Sequence, residues 1–123
     1  MTASSTATML GLVPIAKVTD MNRSIEFYGR LGFEVVNTFE PEGQLKWAHL
    51  RSGHANLMLS QASEPVNAAA QGVLFYMYVP GVAAFRKQMA ARGLKVGELE
   101  YFFFAKDGEF RIEDPDGYVL LIA

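Results

Sequence analysis

Val13-Pro14-Ile15-Ala16-Lys17-Val18 and Leu74-Phe75-Tyr76-Met77-Tyr78-Val79 are one kind of segment met twice, 61 positions apart. Each is followed by a helical stretch, and each stretch closes on a glycine and an apolar residue, Gly32-Phe33 and Gly93-Leu94. A repeat of this length exceeds a solenoid unit and points to two copies of one β-α-β module in one body. The 123 residues make a single ordinary domain that buries about two-thirds of its unfolded surface, so the copies must share a core. The reading is one domain over 1–123, with module one at about 10–60, a linker at 61–71 and module two at about 72–123.

Composition narrows the function. Apolar residues make up 50% and charged residues 20%, an ordinary globular balance. A net charge of −2 gives no basic patch for nucleic acid. The absence of cysteine removes disulfides and thiolate metal sites. Met1 to Met9 has neither the basic start nor the apolar run of a signal peptide, and no stretch approaches the roughly 20 apolar residues of a membrane span. The expectation is a soluble cytoplasmic protein with a short loose N-terminus.

In module one, Leu12 to Val18 reads as a strand. Thr19-Asp20 offers an N-cap to a helix over about Met21–Leu31 that buries Met21, Ile25, Tyr28 and Leu31, with Gly32 as its left-handed stop. Strands follow at Phe33 to Val36, Leu45 to Arg51 and Ala55 to Ser60, with turns at Pro41-Glu42-Gly43 and Ser52-Gly53-His54. Module two repeats the order: Val73 to Val79, a helix over about Val82–Arg92, then strands at Lys95–Leu99, Tyr101–Phe104, Glu109–Glu113 and Tyr118–Ala123. Its turns are placed at Lys106-Asp107-Gly108 and Asp114-Pro115-Asp116-Gly117.

Two of these segments carry a family resemblance. Val18-Thr19-Asp20-Met21-Asn22-Arg23-Ser24-Ile25-Glu26-Phe27-Tyr28 with Leu31-Gly32-Phe33 resembles the opening "V-x-D-x-x-x-S-x-x-F-Y…L-G-F" of the glyoxalase / bleomycin resistance protein / extradiol dioxygenase superfamily, the vicinal oxygen chelate fold. Glu113-Asp114-Pro115-Asp116-Gly117-Tyr118 resembles its closing "D-P-D-G" turn, so the similarity spans Val13 to Ala123. The resemblance implies an α+β fold of two tandem βαβββ modules whose curled sheets form a cup, paired as a homodimer.

Metal-dependent members of that superfamily carry His, Gln or Glu ligands at fixed places in the cup. Those places fall here on Val13, Leu74, Leu121 and Met58, with Leu57 as the alternative to Met58. None offers an imidazole or carboxylate, which divalent ions of this kind require. The reading is therefore a metal-free cup with no cofactor. His49 and His54 are the only histidines; His54 reads as a solvated turn residue, and His49 as a hydrogen-bonded residue of the cup wall.

Side chains alternate across a strand. With Val13 and Leu74 inward, so are Ile15, Lys17, Tyr76 and Tyr78, and the same parity turns Trp47, His49, Asn56, Met58, Ser60, Arg111, Glu113, Val119 and Leu121 into the cup. Of Tyr101 to Phe104, either Tyr101 and Phe103 or Phe102 and Phe104 face inward; the run also suits a dimer interface. The candidate ligand-binding set is Lys17, Trp47, His49, Met58, Tyr76, Tyr78, Phe102, Phe104, Arg111 and Glu113. Such a mixture of aromatics with a few polar groups is what small-molecule pockets are made of. Lys17, Arg111 and Glu113 either orient the ligand or pair with one another to keep an open face soluble.

The leading expectation is a metal-independent small-molecule binding protein that sequesters an antibiotic or other aromatic compound, neutral or anionic. The competing one is a lyase, isomerase or dioxygenase whose metal is held by His49 with one of Glu100, Glu109 or Glu113. A protein-interaction module using the open sheet is third.

Overall fold

The asymmetry of capping between the two helices shows how one module plan is executed twice. In the computed structural model, which describes residues 7–123, the first strand β1 (Ile15–Val18) leads into helix α1 (Met21–Arg30), whose N-cap Asp20 accepts a hydrogen bond from the Arg23 N–H at 3.1 Å. The second helix, α2 (Val82–Ala91), lies 61 positions on but starts from Gly81 in the left-handed conformation (φ 67°) with no side-chain cap. Polar capping satisfies orphan N–H groups only in the first copy. The start of the N-terminal stretch read above as loose, residues 1–6, lies outside the described residues.

Around these helices stand β2 (Glu34–Phe39), β3 (Trp47–Ser52), β4 (Ala55–Gln61), β5 (Phe75–Met77), β6 (Glu100–Phe102), β7 (Ala105–Glu113) and β8 (Val119–Ile122), with short 3₁₀ turns at Pro41–Gly43 and Ala68–Ala70. They form two four-stranded sheets of the same order, β1-β4-β3-β2 and β5-β8-β7-β6, with the helix-preceding strand at one edge and parallel to its neighbour. The fold is α+β, built from two tandem βαβββ modules.

Alternation is clean where the sheets face their core. Ala16, Val18, Ala48, Leu50, Leu57, Leu59, Phe110, Ile112, Leu120 and Ile122 are buried and join with Met21, Phe27, Tyr28, Leu31, Val82 and Met89 in one hydrophobic core spanning both modules. On α1 the buried face is Met21, Ser24, Phe27 and Tyr28, with Leu31 just beyond. Ile25, expected inside, is half-buried because the buried stripe runs through Ser24 and Phe27 instead.

Two expectations fail in module two. Lys95 to Leu99 is not a strand: Gly97 N–H bonds to the Arg111 carbonyl at 2.8 Å, while its own carbonyl accepts from Arg86 Nε of α2 at 2.7 Å, so the segment lies against β7 without building a ladder. Lys106-Asp107-Gly108 is not a turn but part of β7, and the chain reverses at Phe103-Phe104. The glycine makes a bulge instead. Glu100 pairs with Glu109 and Phe102 with Ala105, and Gly108 (φ 112°) leaves room for Leu99, whose Cγ would stand 2.6 Å from any Cβ there.

Where the modules meet, the β7–β8 turn docks on the β1–α1 corner through polar contacts. Tyr28 donates to Asp114 Oδ2 at 2.7 Å, and Asp114 Oδ1 accepts from the N–H groups of Asp116 and Tyr118, both at 2.9 Å. Thr19 N–H donates to Asp116 at 3.1 Å, Arg23 lies 3.7 Å from the same carboxylate, and the Tyr118 hydroxyl donates to the Lys17 carbonyl at 2.8 Å. Burial raises the pKa of the Asp114 carboxyl, against the pull of its three hydrogen bonds. Burial also pushes the Tyr28 hydroxyl far up, with the neighbouring Asp114 adding to it.

Candidate functional site

The sheet faces opposite the core carry the candidate set, and register fixes which side chains are neighbours. In module one, Ile15 stands beside Met58 and Met58 beside His49; Lys17 stands beside Ser60 and Ser60 beside Trp47. Trp47 and His49 are half-exposed with ring centroids 6.3 Å apart. His49 Nε2 lies 2.8 Å from Asn56 Oδ1, which also accepts from Arg51 Nε at 3.1 Å while Asn56 Nδ2 donates to the His54 carbonyl. An amide oxygen only accepts, so His49 donates through Nε2, leaving Nδ1 as its acceptor when neutral.

In module two, Tyr76 neighbours Leu121, and Leu121 neighbours Arg111. Tyr76 donates to Glu109 Oε1 at 2.7 Å, a bond that, with burial and the Glu109 charge behind it, pushes the phenol up to about 12. Glu109 is a buried carboxylate that the candidate set omitted; its inward parity with Arg111 and Glu113 was the available signal. Tyr76 and Tyr78 rings lie 5.2 Å apart. Arg111 reaches Glu113 at 3.8 Å, both well exposed, and Lys17 takes no part in that pair. Phe102 and Phe104 stack on each other at 5.2 Å on the β6–β7 hairpin, with Phe103 edge-on to Phe104 and 87% exposed.

The candidate residues thus fall into separate groups: Lys17, Trp47, His49 and Met58 on the first sheet, Tyr76, Tyr78, Arg111 and Glu113 on the second, and the Phe102–Phe104 stack at a hairpin end. Arg111 and Glu113 also border a cavity of about 250 Å³ beside Phe27, Val96 and Gly97.

A larger cavity, about 640 Å³, opens between the modules. It is lined from module one by Phe33, by His54 of the β3–β4 turn and by Ala55 at the start of β4, and from module two by Tyr78, Val79 and Phe85. Of the candidate set only Tyr76 and Tyr78 reach it. The remaining wall was missed because it is made by packing one module against the other, which strand parity does not describe.

Val13, Leu74, Leu121 and Met58 or Leu57, the residues on which the resemblance puts the family's metal ligands, are apolar and offer no imidazole or carboxylate to a divalent ion. Among the described residues no three His, Cys, Asp or Glu side chains gather as a metal-binding group, and His49 belongs to the other sheet from Glu100, Glu109 and Glu113. Among the described residues no helix is long and apolar enough to cross a membrane.

Comparison with known proteins bears on the fold. The structure resembles a bleomycin resistance determinant encoded on the transposon Tn5 (20% identity, 93% of this chain and 96% of that one, TM-score 0.75). It also resembles a bleomycin-binding protein complexed with bleomycin (21%, 93% and 97%, 0.71). A third likeness is to TnmS3, an antibiotic binding protein from Streptomyces sp. CB03234 (18%, 96% and 97%, 0.78). A search of curated proteins found no match. The family model described as Glyoxalase/Bleomycin resistance protein/Dioxygenase superfamily matches residues 12–122. With the repeat, the sheet order and the two junction motifs already in place, that match over nearly the whole length makes this chain a member of the glyoxalase/bleomycin resistance protein/dioxygenase superfamily.

Proposed function

We propose that the protein binds a small aromatic molecule on its open sheet faces without a metal and acts by sequestration. The observation that carries this reading is the pairing of exposed aromatics with fixed polar groups on both faces, Trp47 with the oriented His49 and Tyr76 with Glu109. The apolar residues at the family's ligand positions support metal independence, and structural relatives described as bleomycin-binding and antibiotic binding make small-molecule capture a precedent within the fold. Lys17, Arg51 and Arg111 against Glu109 and Glu113 leave the two faces without a strong charge bias, which favours a neutral or anionic ligand. A lyase, isomerase or dioxygenase would need donors that these faces do not bring together.

A second copy of the chain completes the site in this proposal. Leu10, Leu12, Ile15, Phe39, Tyr78 and Phe103 are each more than half exposed, an apolar load that monomers rarely leave in water. Light scattering would then give twice 13.6 kDa.

The test is a fluorescence titration of EDTA-treated protein, since Trp47 is the only tryptophan. Aromatic compounds of negative, zero and positive charge are compared. Saturable quenching by neutral or anionic members without added metal is expected. Quenching only after Zn²⁺, Ni²⁺, Mn²⁺ or Fe²⁺ is supplied would refute metal independence, and binding only of cations would refute the assigned ligand charge.

A further inference from the structure

We infer that the cavity of about 640 Å³ between the modules is a second binding compartment, which shares Tyr76 and Tyr78 with the second sheet face but stands apart from Trp47, His49 and Met58 of the first, and that it takes a neutral, largely apolar aromatic molecule. Its volume falls in the range of sites for drug-sized ligands. Among the described residues no Asp, Glu, Lys or Arg lines it, so a charged ligand would lose its hydration there without a partner. Its polar lining residues are Ser52, His54, Asn56, Tyr76 and Tyr78; with the Tyr76 hydroxyl held by Glu109 and the Asn56 amide by its neighbours, Ser52, His54 and Tyr78 are left to orient one or two hydroxyl or carbonyl groups.

The repeat explains why the space exists. The first junction is closed by Thr19, Arg23 and Tyr28 gripping the β7–β8 turn. Sixty-one positions on, at the second junction, stand Pro80, Ala84 and Met89. Proline has no N–H to donate, and alanine and methionine have no polar hydrogen. The β3–β4 turn correspondingly offers Ser52-Gly53-His54 where the other turn offers two aspartates. With no side-chain donor at those three positions to draw the turn in, His54, Ala55, Val79 and Phe85 line an open space. Phe85, in the place of the buried Ser24, adds an aromatic wall.

The test uses N-phenyl-1-naphthylamine, an uncharged two-ring fluorophore excited beyond the tryptophan band. Ala55 is exposed at the cavity wall, so Ala55→Trp fills the space with little demand on the fold. Saturable binding to the wild type is expected, weakened at least about tenfold in Ala55→Trp and by an intermediate factor in Ala55→Leu, the variant that keeps the test open should Ala55→Trp fail to fold. Unchanged affinity in a folded Ala55→Trp protein, or no saturable binding to the wild type, overturns the inference. The sheet-face reading stands or falls separately on Trp47 quenching by its own ligands.

Discussion

The two junctions between the modules occupy equivalent places in a repeated fold, yet one is knitted by polar contacts and the other encloses a cavity. At the first, Tyr28, Asp114, Asp116 and Tyr118 bury a connected network in which the phenol and two backbone N–H groups satisfy one carboxylate. At the second, Pro80, Ala84 and Met89 carry no side-chain donor, and a cavity of about 640 Å³ lies there instead. Duplication supplied two equal corners. The lesson is that one can be given to stability and the other released for binding, because a polar network once buried is costly to leave half made.

The comparison breaks hardest at Asp114. Asp114→Ala strands the Tyr28 hydroxyl and two backbone N–H groups, and urea unfolding should show a loss of about 3 kcal/mol. Ser52→Ala, at the corresponding place in the other turn, should cost under about 0.5 kcal/mol. Equal losses would mean that the junctions share the load. Next comes Tyr28→Phe, expected to cost about 2 kcal/mol by taking one donor from a buried carboxylate, against less than about 1.5 kcal/mol for the volume-conserving Met89→Leu.

A pH titration sharpens the cavity side. The Tyr76 phenol has a folded pKa of about 12, above its ordinary 10.0. A raised pKa means that the native state holds the proton more tightly. Its contribution to stability is therefore fully present below pH 10 and fades as pH rises through about 12. The phenolate absorbance lost in Tyr76→Phe should appear near that pH in the wild type and at lower pH in Glu109→Gln; an unmoved titration would show that the hydrogen bond to Glu109 is not its cause. The smallest effect is expected at Glu113→Ala, which removes a solvent-exposed pair with Arg111 and should change stability by less than about 0.5 kcal/mol.

Much of this was legible in the residues. The 61-residue offset places α2 on α1 to the residue, and strand parity correctly divides Ala48 and Leu50 from Trp47 and His49. Lys106-Asp107-Gly108 misled because a glycine at positive φ serves a bulge as well as a turn, and only the packing of Leu99 decides between them. Lys95–Leu99 misled because its backbone bonds run to Arg86 and Arg111, a tertiary choice that no local pattern records. The cavity was half visible: Pro80, Ala84 and Met89 announce a junction without side-chain donors, but which residues of the other module line the space, Phe33 among them, is decided by packing between modules.

The most direct measurement follows methionine methyl groups by NMR in metal-stripped protein as N-phenyl-1-naphthylamine is added. Met77 lines the cavity between the modules, whereas Met58 lies on the first sheet face beside His49. The account predicts that the Met77 methyl shifts with the ligand while Met58 stays in place. A shift of Met58 with Met77 unmoved would contradict it, placing the neutral ligand on the sheet face and leaving the second junction as empty space.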